Sequence, residues 1–116
     1  MSKKRRDKDF IGDIQEAMEA VAGYTRGLTY KTFLEDRKTQ DAVVRNFEVM
    51  GEAAKNISSA FRGKYPDVPW KEIAGLRDKL IHFYFGIDYK IIWNITRKSL
   101  PNLRKQIKTI AKAATE

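Results

Sequence analysis

The most constraining feature of this chain is the helical spacing of apolar residues across its middle third. Apolar side chains recur there every three or four residues, which places them on one face of an α-helix: Val43, Val44, Phe47, Met50, Ala54, Ile57 and Phe61. The pattern predicts one long helix from about Thr39 to Arg62. Gly51 lies inside this helix, and we expect it to mark the close approach of a neighbouring helix rather than a merely tolerated glycine.

The same period continues on both sides of this helix. An earlier stripe of Phe10, Ile14, Ala17, Val21 and Tyr24 predicts a first helix that ends near Gly23 and Gly27. Thr29 is expected to cap a short piece of one or two turns that reaches Leu34. No alternating strand pattern is present in the sequence.

Three further helices are expected in the second half. Pro69 suits the first turn of a helix that starts at Trp70 and ends near Gly86. Asp88 is predicted to cap the next helix, and Ser99 and Pro101 to begin the last one. The sequence therefore predicts an all-α, mostly antiparallel bundle of four or five helices joined by short loops.

Composition restricts the possible functions. The 116 residues fit one domain spanning residues 1–116, with residues 1–6 as a flexible basic tail. The chain has no cysteine and one histidine, which argues against disulfides, a cysteine nucleophile and a zinc site. It has no apolar run long enough for a transmembrane helix, and we expect the protein in the cytoplasm.

The net charge favours a polyanionic partner. A formal charge of +8 and a pI of about 9.8 predict attraction to nucleic acid. Such a charge also serves solubility or growth at high temperature. Because a domain of this size buries a modest core, association into an oligomer would add useful burial.

The segment from Trp70 to Trp93 carries the residues best suited to catalysis. His82 is the only histidine, and histidine is the side chain whose ordinary pKa suits acid–base chemistry near neutral pH. Arg77 precedes it and Tyr84 follows. In metal-free RNA cleavage, His82 would act on the proton of a ribose 2′-hydroxyl or of the leaving 5′-oxygen. Arg77 would stabilise the phosphoryl oxygens, and Tyr84 would orient the phosphate or the histidine.

Helix geometry separates two of these residues. On one ideal helix His82 lies about 140° around the axis from Arg77, so the two do not converge. Either the helix is irregular near residues 81–84, or a second subunit supplies the histidine. We hypothesise a dimeric cleft beside a two-fold axis.

Ordinary structural roles would also explain these residues. A histidine near a helix end often interacts with the helix dipole or is half-buried. Arg77 would then be a surface arginine paired with Asp41, Glu48 or Glu52. Asp78 would either hold Arg77 in place or face water.

A series of motifs carries a family resemblance. DAVVRNFE at 41–48 leads into GEAA at 51–54, followed by YPDVPW at 65–70, IAGLR at 73–77, YFGID at 84–88 and Ile92-Trp93. Arg77, His82 and Tyr84 meet the signature R-x-x-x-x-H-x-Y. Over nearly its whole length the chain resembles the HepT-like family of the HEPN superfamily of helical RNases.

The resemblance implies a toxin of a type VII-like toxin–antitoxin pair. Its members are homodimeric, metal-independent endoribonucleases that act on mRNA or tRNA without a cofactor, and a 2′,3′-cyclic phosphate product is expected. Arg77 and His82 of both subunits would face one cleft. The implied partner is an MntA-like minimal nucleotidyltransferase that transfers AMP from ATP to Tyr84. The added phosphate and nucleoside would fill the cleft and repel RNA.

One departure from the family pattern keeps an alternative open. The residue after the signature arginine is often asparagine in the superfamily, and here it is Asp78, whose carboxylate would lie near the phosphate. The alternative is an inactive HEPN module that binds the nucleotidyltransferase, a nucleotide or RNA; a third reading is a purely structural bundle.

Basic residues outside the signature are candidates for RNA contact. They are Arg45, the Lys3–Arg6 tail, and the i, i+4, i+8 stripe of Arg104, Lys108 and Lys112. For each, a solvated surface is the other interpretation.

Overall fold

The structure is a helical bundle, as the sequence predicts. The computed structural model describes residues 4–81 and 88–115, with the backbone alone for residues 80, 81 and 115. All regular elements within these ranges are helical, which confirms the all-α class. They are α1 (Asp7–Thr25), α2 (Tyr30–Leu34), α3 (Arg37–Lys55), α4 (Ser59–Lys64), α5 (Trp70–Ala74), α6 (Leu76–Ile81), α7 (Tyr89–Asn94), a π-helical segment (Ile95–Ser99) and α8 (Leu100–Thr115).

The long helices α1, α3 and α8 form the body of the bundle, with α1 packed against the other two. At the start of α1, the Asp7 carboxylate accepts hydrogen bonds from the Ser58 amide at 2.8 Å and hydroxyl at 2.7 Å, just beyond the end of α3. At the other end, Arg97 precedes α8 and donates to the carbonyl of Thr25 at 2.9 Å. Helix α1 therefore runs antiparallel to both α3 and α8.

The core collects the apolar faces that the periodicity predicts. Its largest fully buried side chains come from six helices, α1 to α3, α5, α7 and α8: Phe33, Phe47, Ile11, Ile14, Met18, Met50, Ile73, Ile92 and Ile107. Tyr24 is an exception to the predicted stripe, because its side chain is 50% exposed. It lies in the last turn of α1, where the helix ends.

The single helix predicted from Thr39 to Arg62 is wrong, because α3 ends at Lys55 and α4 starts at Ser59. The Ser58 hydroxyl accepts a hydrogen bond from the Phe61 amide at 3.2 Å, which caps α4. Asp7 holds Ser58 from across the bundle. The apolar period continues through this break because Ile57 still enters the core.

The helix predicted to start at Trp70 is also divided, with Gly75 between α5 and α6. The Gly75 amide donates to the Lys71 carbonyl at 2.9 Å, so the helical hydrogen-bond pattern continues across the division. A Cβ at residue 75 would lie 3.3 Å from that carbonyl oxygen. The predicted end at Gly86 lies outside the described residues.

The last two helices were expected to be separate, and the structure joins them. Helical backbone continues from α7 through the π-helical segment into α8, where the Leu100 amide donates to the Ile95 carbonyl five residues earlier. Pro101 has no amide hydrogen to donate, and it lies in the first turn of α8, directly after this π turn. The predicted caps are confirmed: Thr29 caps α2, and Asp88 accepts from the Lys90 and Ile91 amides.

Candidate active site

Arg77 lies in the first turn of α6, where this helix crosses α3 at Gly51. A Cβ built on Gly51 would stand 3.0 Å from the Arg77 backbone nitrogen, 3.2 Å from the Arg77 Cβ and 3.3 Å from the Ile73 carbonyl oxygen. The expected close approach at Gly51 is therefore confirmed. Without a side chain at residue 51, the backbone that carries the signature arginine lies directly against α3.

The Arg77 guanidinium forms an ion pair across this crossing. Its Nη1 donates to Glu52 Oε2 at 3.0 Å, so Glu52 is the partner among the three acidic residues considered from the sequence. The Arg77 side chain is 44% exposed. Its Nε and Nη2 have no hydrogen-bond partner in the described part of the chain. One edge of the guanidinium is thus able to donate two parallel hydrogen bonds to a phosphate.

Asp78 forms a second ion pair beside the first. Its Oδ1 accepts from Lys55 Nζ at 3.2 Å. Asp78 therefore neither holds Arg77 nor simply faces water. Lys55 is a residue that the sequence argument missed, although its position three residues after Glu52 places the two side chains on neighbouring surface of α3. Its ammonium partly offsets the charge of the Asp78 carboxylate beside Arg77.

Arg77 borders an open depression of about 350 Å³ between α1, α3 and α6. Three arginines and three acidic residues line it: Arg5, Arg45, Arg77, Asp13, Glu48 and Glu52. Arg5 pairs with Asp13 at 2.8 Å, and Arg77 with Glu52. Arg45 and Glu48 have no ion-pair partner within the described ranges. The structure thus places Arg45, predicted to contact RNA, in the same depression as Arg77.

His82 and Tyr84 lie outside the described residues. Their distances from Arg77, and the dimeric cleft inferred from helix geometry, therefore stay predictions. Helix α6 is described as far as Ile81, the residue immediately before the histidine.

The basic tail is also only partly described. Residues 1–3 lie outside the described ranges, and its flexibility stays a prediction. Arg5 contacts α1: its guanidinium pairs with Asp13 and lies 4.9 Å from the centre of the Phe10 ring. The Arg6 amide donates to Asp9 at 2.8 Å, which helps to begin the helix and lowers the pKa of the Asp9 carboxyl.

The basic stripe on α8 is uneven in charge. Arg104 donates from Nε and Nη2 to the two carboxylate oxygens of Glu19, at 3.1 and 2.7 Å. This pair raises the pKa of Arg104 and lowers that of Glu19. Lys108 and Lys112 are exposed. Part of the Arg104 charge is therefore offset within the fold, and the predicted RNA contact by this stripe stays a prediction.

Two general properties of the described ranges bear on the site. No helix in residues 4–81 or 88–115 combines the length and apolar content required to cross a membrane. Within the same ranges, no three acidic, histidine or cysteine side chains are grouped so that they could hold a metal ion.

Comparison with known proteins assigns the family. The model of the family described as ribonuclease HepT-like matches residues 14–110. A Methanocaldococcus jannaschii protein named as a candidate RNase is 50% identical over 109 residues, covering 94% of this chain and 90% of that protein. A Thermococcus cleftensis protein named as a candidate ribonuclease HepT is 43% identical, covering 94% of this chain and 99% of its own length. No solved structure matches the chain. This chain belongs to the HepT-like ribonuclease family.

Proposed function

We propose that this protein is an endoribonuclease that cleaves RNA without a metal ion. The observation that carries the proposal is the position and hydrogen bonding of Arg77, the arginine of the R-x-x-x-x-H-x-Y signature. It borders a surface depression and keeps one edge of its guanidinium unpaired among the described residues. The family match and the relatives named as ribonucleases support RNA as the substrate.

The reaction is an intramolecular transesterification, in which the ribose 2′-oxygen replaces the 5′-oxygen of the next nucleotide at phosphorus. His82 takes the proton of the 2′-hydroxyl or gives a proton to the leaving 5′-oxygen, and solvent water accepts or supplies the other proton. The 2′-oxygen bonds to phosphorus, the bond to the 5′-oxygen breaks, and a 2′,3′-cyclic phosphate remains. Arg77 donates to the phosphoryl oxygens as their charge grows. A homodimer would bring Arg77 and His82 of two subunits into one cleft, and Arg45 would contact a flanking phosphate.

The alternative is a module that binds RNA, nucleotide or a partner without cleaving. The observation behind it is the Asp78 carboxylate, which adjoins Arg77 in sequence. Because Asp78 is paired with Lys55 at 3.2 Å, its charge is partly offset before any RNA arrives. This pairing favours the active enzyme.

We further propose that the protein is a toxin controlled by an MntA-like nucleotidyltransferase antitoxin in the cytoplasm. The antitoxin would transfer AMP from ATP to the Tyr84 hydroxyl and release pyrophosphate. The added phosphate would compete with RNA for Arg77. Coexpression with the antitoxin should add the mass of AMP to the wild type and not to Tyr84→Phe, and an equal modification of both would contradict this assignment.

The cleavage proposal is tested with purified protein whose Tyr84 is shown by mass spectrometry to be unmodified. It is incubated in EDTA with total tRNA and a model mRNA, beside His82→Ala and Arg77→Ala. We expect the wild type to leave 2′,3′-cyclic phosphate ends and each variant to lose activity by at least about 100-fold. Circular dichroism verifies that all three proteins are folded. A folded, unmodified wild type that cuts neither RNA would support the binding module instead.

A further inference from the structure

Two ion pairs of opposite polarity join α6 to α3 beside one close backbone contact. Glu52 and Lys55 lie one helical turn apart on α3, and Arg77 and Asp78 are consecutive on α6. The pairs measure 3.0 Å for Arg77–Glu52 and 3.2 Å for Asp78–Lys55. Gly51, next to Glu52, has no side chain and so lets the two backbones approach closely. The backbone contact sets the position of the Arg77 Cα, and the ion pair with Glu52 sets the direction in which its side chain extends from α6.

The Arg77–Glu52 bond is made through one guanidinium nitrogen. It uses Nη1, while the edge formed by Nε and Nη2 keeps its donors. A guanidinium is planar, so a bond at Nη1 restricts the plane in which the opposite edge lies. Arg77 and Glu52 both line the depression, so their ion pair lies at its surface.

We propose that Glu52 is a positioning residue for RNA cleavage, which orients the Arg77 guanidinium so that its Nε–Nη2 edge meets the scissile phosphate. This role rests on the proposed function of Arg77. A carboxylate beside an RNA site weakens binding through its charge, so its benefit must come from orientation. Lys55 supports the same geometry by holding Asp78.

A positioning role for Glu52 is distinguished from a general charge effect by comparing KM and kcat for RNA cleavage in Glu52→Gln. Glu52→Gln removes a negative charge near the substrate, so RNA should bind as tightly as to the wild type or more tightly. The same substitution removes the ionic anchor of Arg77, so the guanidinium samples other directions. We expect KM for RNA to stay equal or fall, while kcat falls about tenfold or more because a catalytic group is misplaced.

Asp41→Asn is the matched control. Asp41 also lies on α3 and forms an exposed ion pair, with Arg37 at 3.3 Å, outside the depression. This substitution removes the same kind of charge from the same helix, and kcat should not change. Glu52→Asp keeps the charge, and we expect it to recover part of the kcat that Glu52→Gln loses.

A second measurement reads the orientation itself. The Nε–H signal of Arg77, assigned by its loss in Arg77→Lys, should show a more mobile side chain in Glu52→Gln than in the wild type or Asp41→Asn. Wild-type kcat in folded Glu52→Gln, or an unchanged Arg77 signal, would overturn the positioning role while the cleavage proposal stands. A wild type that does not cleave would overturn the cleavage proposal, and the positioning role with it.

Discussion

The backbone nitrogen of Arg77 lies 3.0 Å from the position that a Cβ on Gly51 would occupy. The same contact brings the Ile73 carbonyl within 3.3 Å of that position. Helix α6 can therefore approach α3 closely at this residue, and this approach lets Arg77 reach Glu52. A small residue outside the signature thus determines where the signature arginine lies.

Gly51→Ala should destabilise the fold and impair cleavage. The atoms in the way belong to the backbone and Cβ of Arg77, which cannot rotate aside, so α6 must shift. We expect the free energy of unfolding to fall by about 1–2 kcal/mol, since overpacking outweighs the better helix propensity of alanine. Denaturant unfolding measures this change. Gly12→Ala is the control, because nothing lies within 4 Å of a Cβ there. That variant should gain about 0.5–1 kcal/mol, and equal effects at both positions would contradict the close-contact argument.

Arg97→Lys should destabilise the end of the bundle where α1 stops. The Arg97 guanidinium donates to the carbonyls of Thr25 and Leu28. It also stacks on Trp93, with the Arg97 Cζ 4.3 Å from the ring centre. A lysine keeps the charge but lacks the planar fork. We expect a loss of about 1.5–3 kcal/mol in the free energy of unfolding, the range for hydrogen bonds to charged groups. The neighbouring exposed Lys98→Gln should change it little. An unchanged free energy of unfolding in Arg97→Lys would contradict the role of the planar guanidinium.

Acid should weaken the fold through carboxylates that are ionised in the native state. Arg104 lowers the pKa of Glu19 from its ordinary 4.5, and the Thr39 hydroxyl and amide lower that of Asp36 from 3.8. A folded-state pKa below the unfolded value gives a contribution that is complete above the unfolded pKa and is lost as pH falls through the folded pKa. The thermal midpoint should therefore decrease as the pH falls below about 4.5.

Glu19→Gln isolates one part of this acid response. The variant should have a lower midpoint than the wild type near neutral pH, and the difference should shrink as the medium is acidified. Glu16→Gln, on the same exposed helix surface and without an ion pair in the described ranges, should differ little from the wild type near neutral pH. A difference between Glu19→Gln and the wild type that stays constant with pH would contradict the ionic role of Glu19.

Lys108→Gln tests whether the α8 stripe contacts RNA. If Lys108 binds a phosphate, its removal should reduce the slope of log affinity against log salt by about 0.7 for single-stranded RNA. Fluorescence anisotropy in the His82→Ala background measures binding without cleavage. Lys38→Gln, at the start of α3, removes the same charge elsewhere. If the slope of log affinity against log salt is identical in the two variants and the parent, Lys108 does not contact RNA and faces solvent.

Local sequence rules predicted the elements whose formation depends on neighbouring residues. Thr29 and Asp88 cap helices because their side-chain oxygens reach amides two or three residues later, whatever packs around them. The apolar period identified the buried faces of α1, α3 and α8 for a similar reason. Gly51 was identified because a side chain is missing at one point of an otherwise regular helix.

The apolar period could not locate the helix breaks. Ile57 continues the stripe across the gap between α3 and α4, and the break depends on Asp7, which lies 51 residues before Ser58. Pro101 was predicted to begin a separate helix, whereas helical backbone continues from α7 through the π-helical segment into α8, which contains Pro101. Both outcomes are set by hydrogen bonds that the hydrophobic pattern does not record.

Spacing along the chain was enough to predict the helical class, the buried faces of the long helices and the resemblance to the HepT-like family, which the comparisons confirm. The pairing of Arg77 with Glu52, rather than with Asp41 or Glu48, and the pairing of Asp78 with Lys55 became known only from the packed helices. The physical reason is that an ion pair between helices depends on where they cross and how closely they approach. Here the crossing at Gly51 sets both.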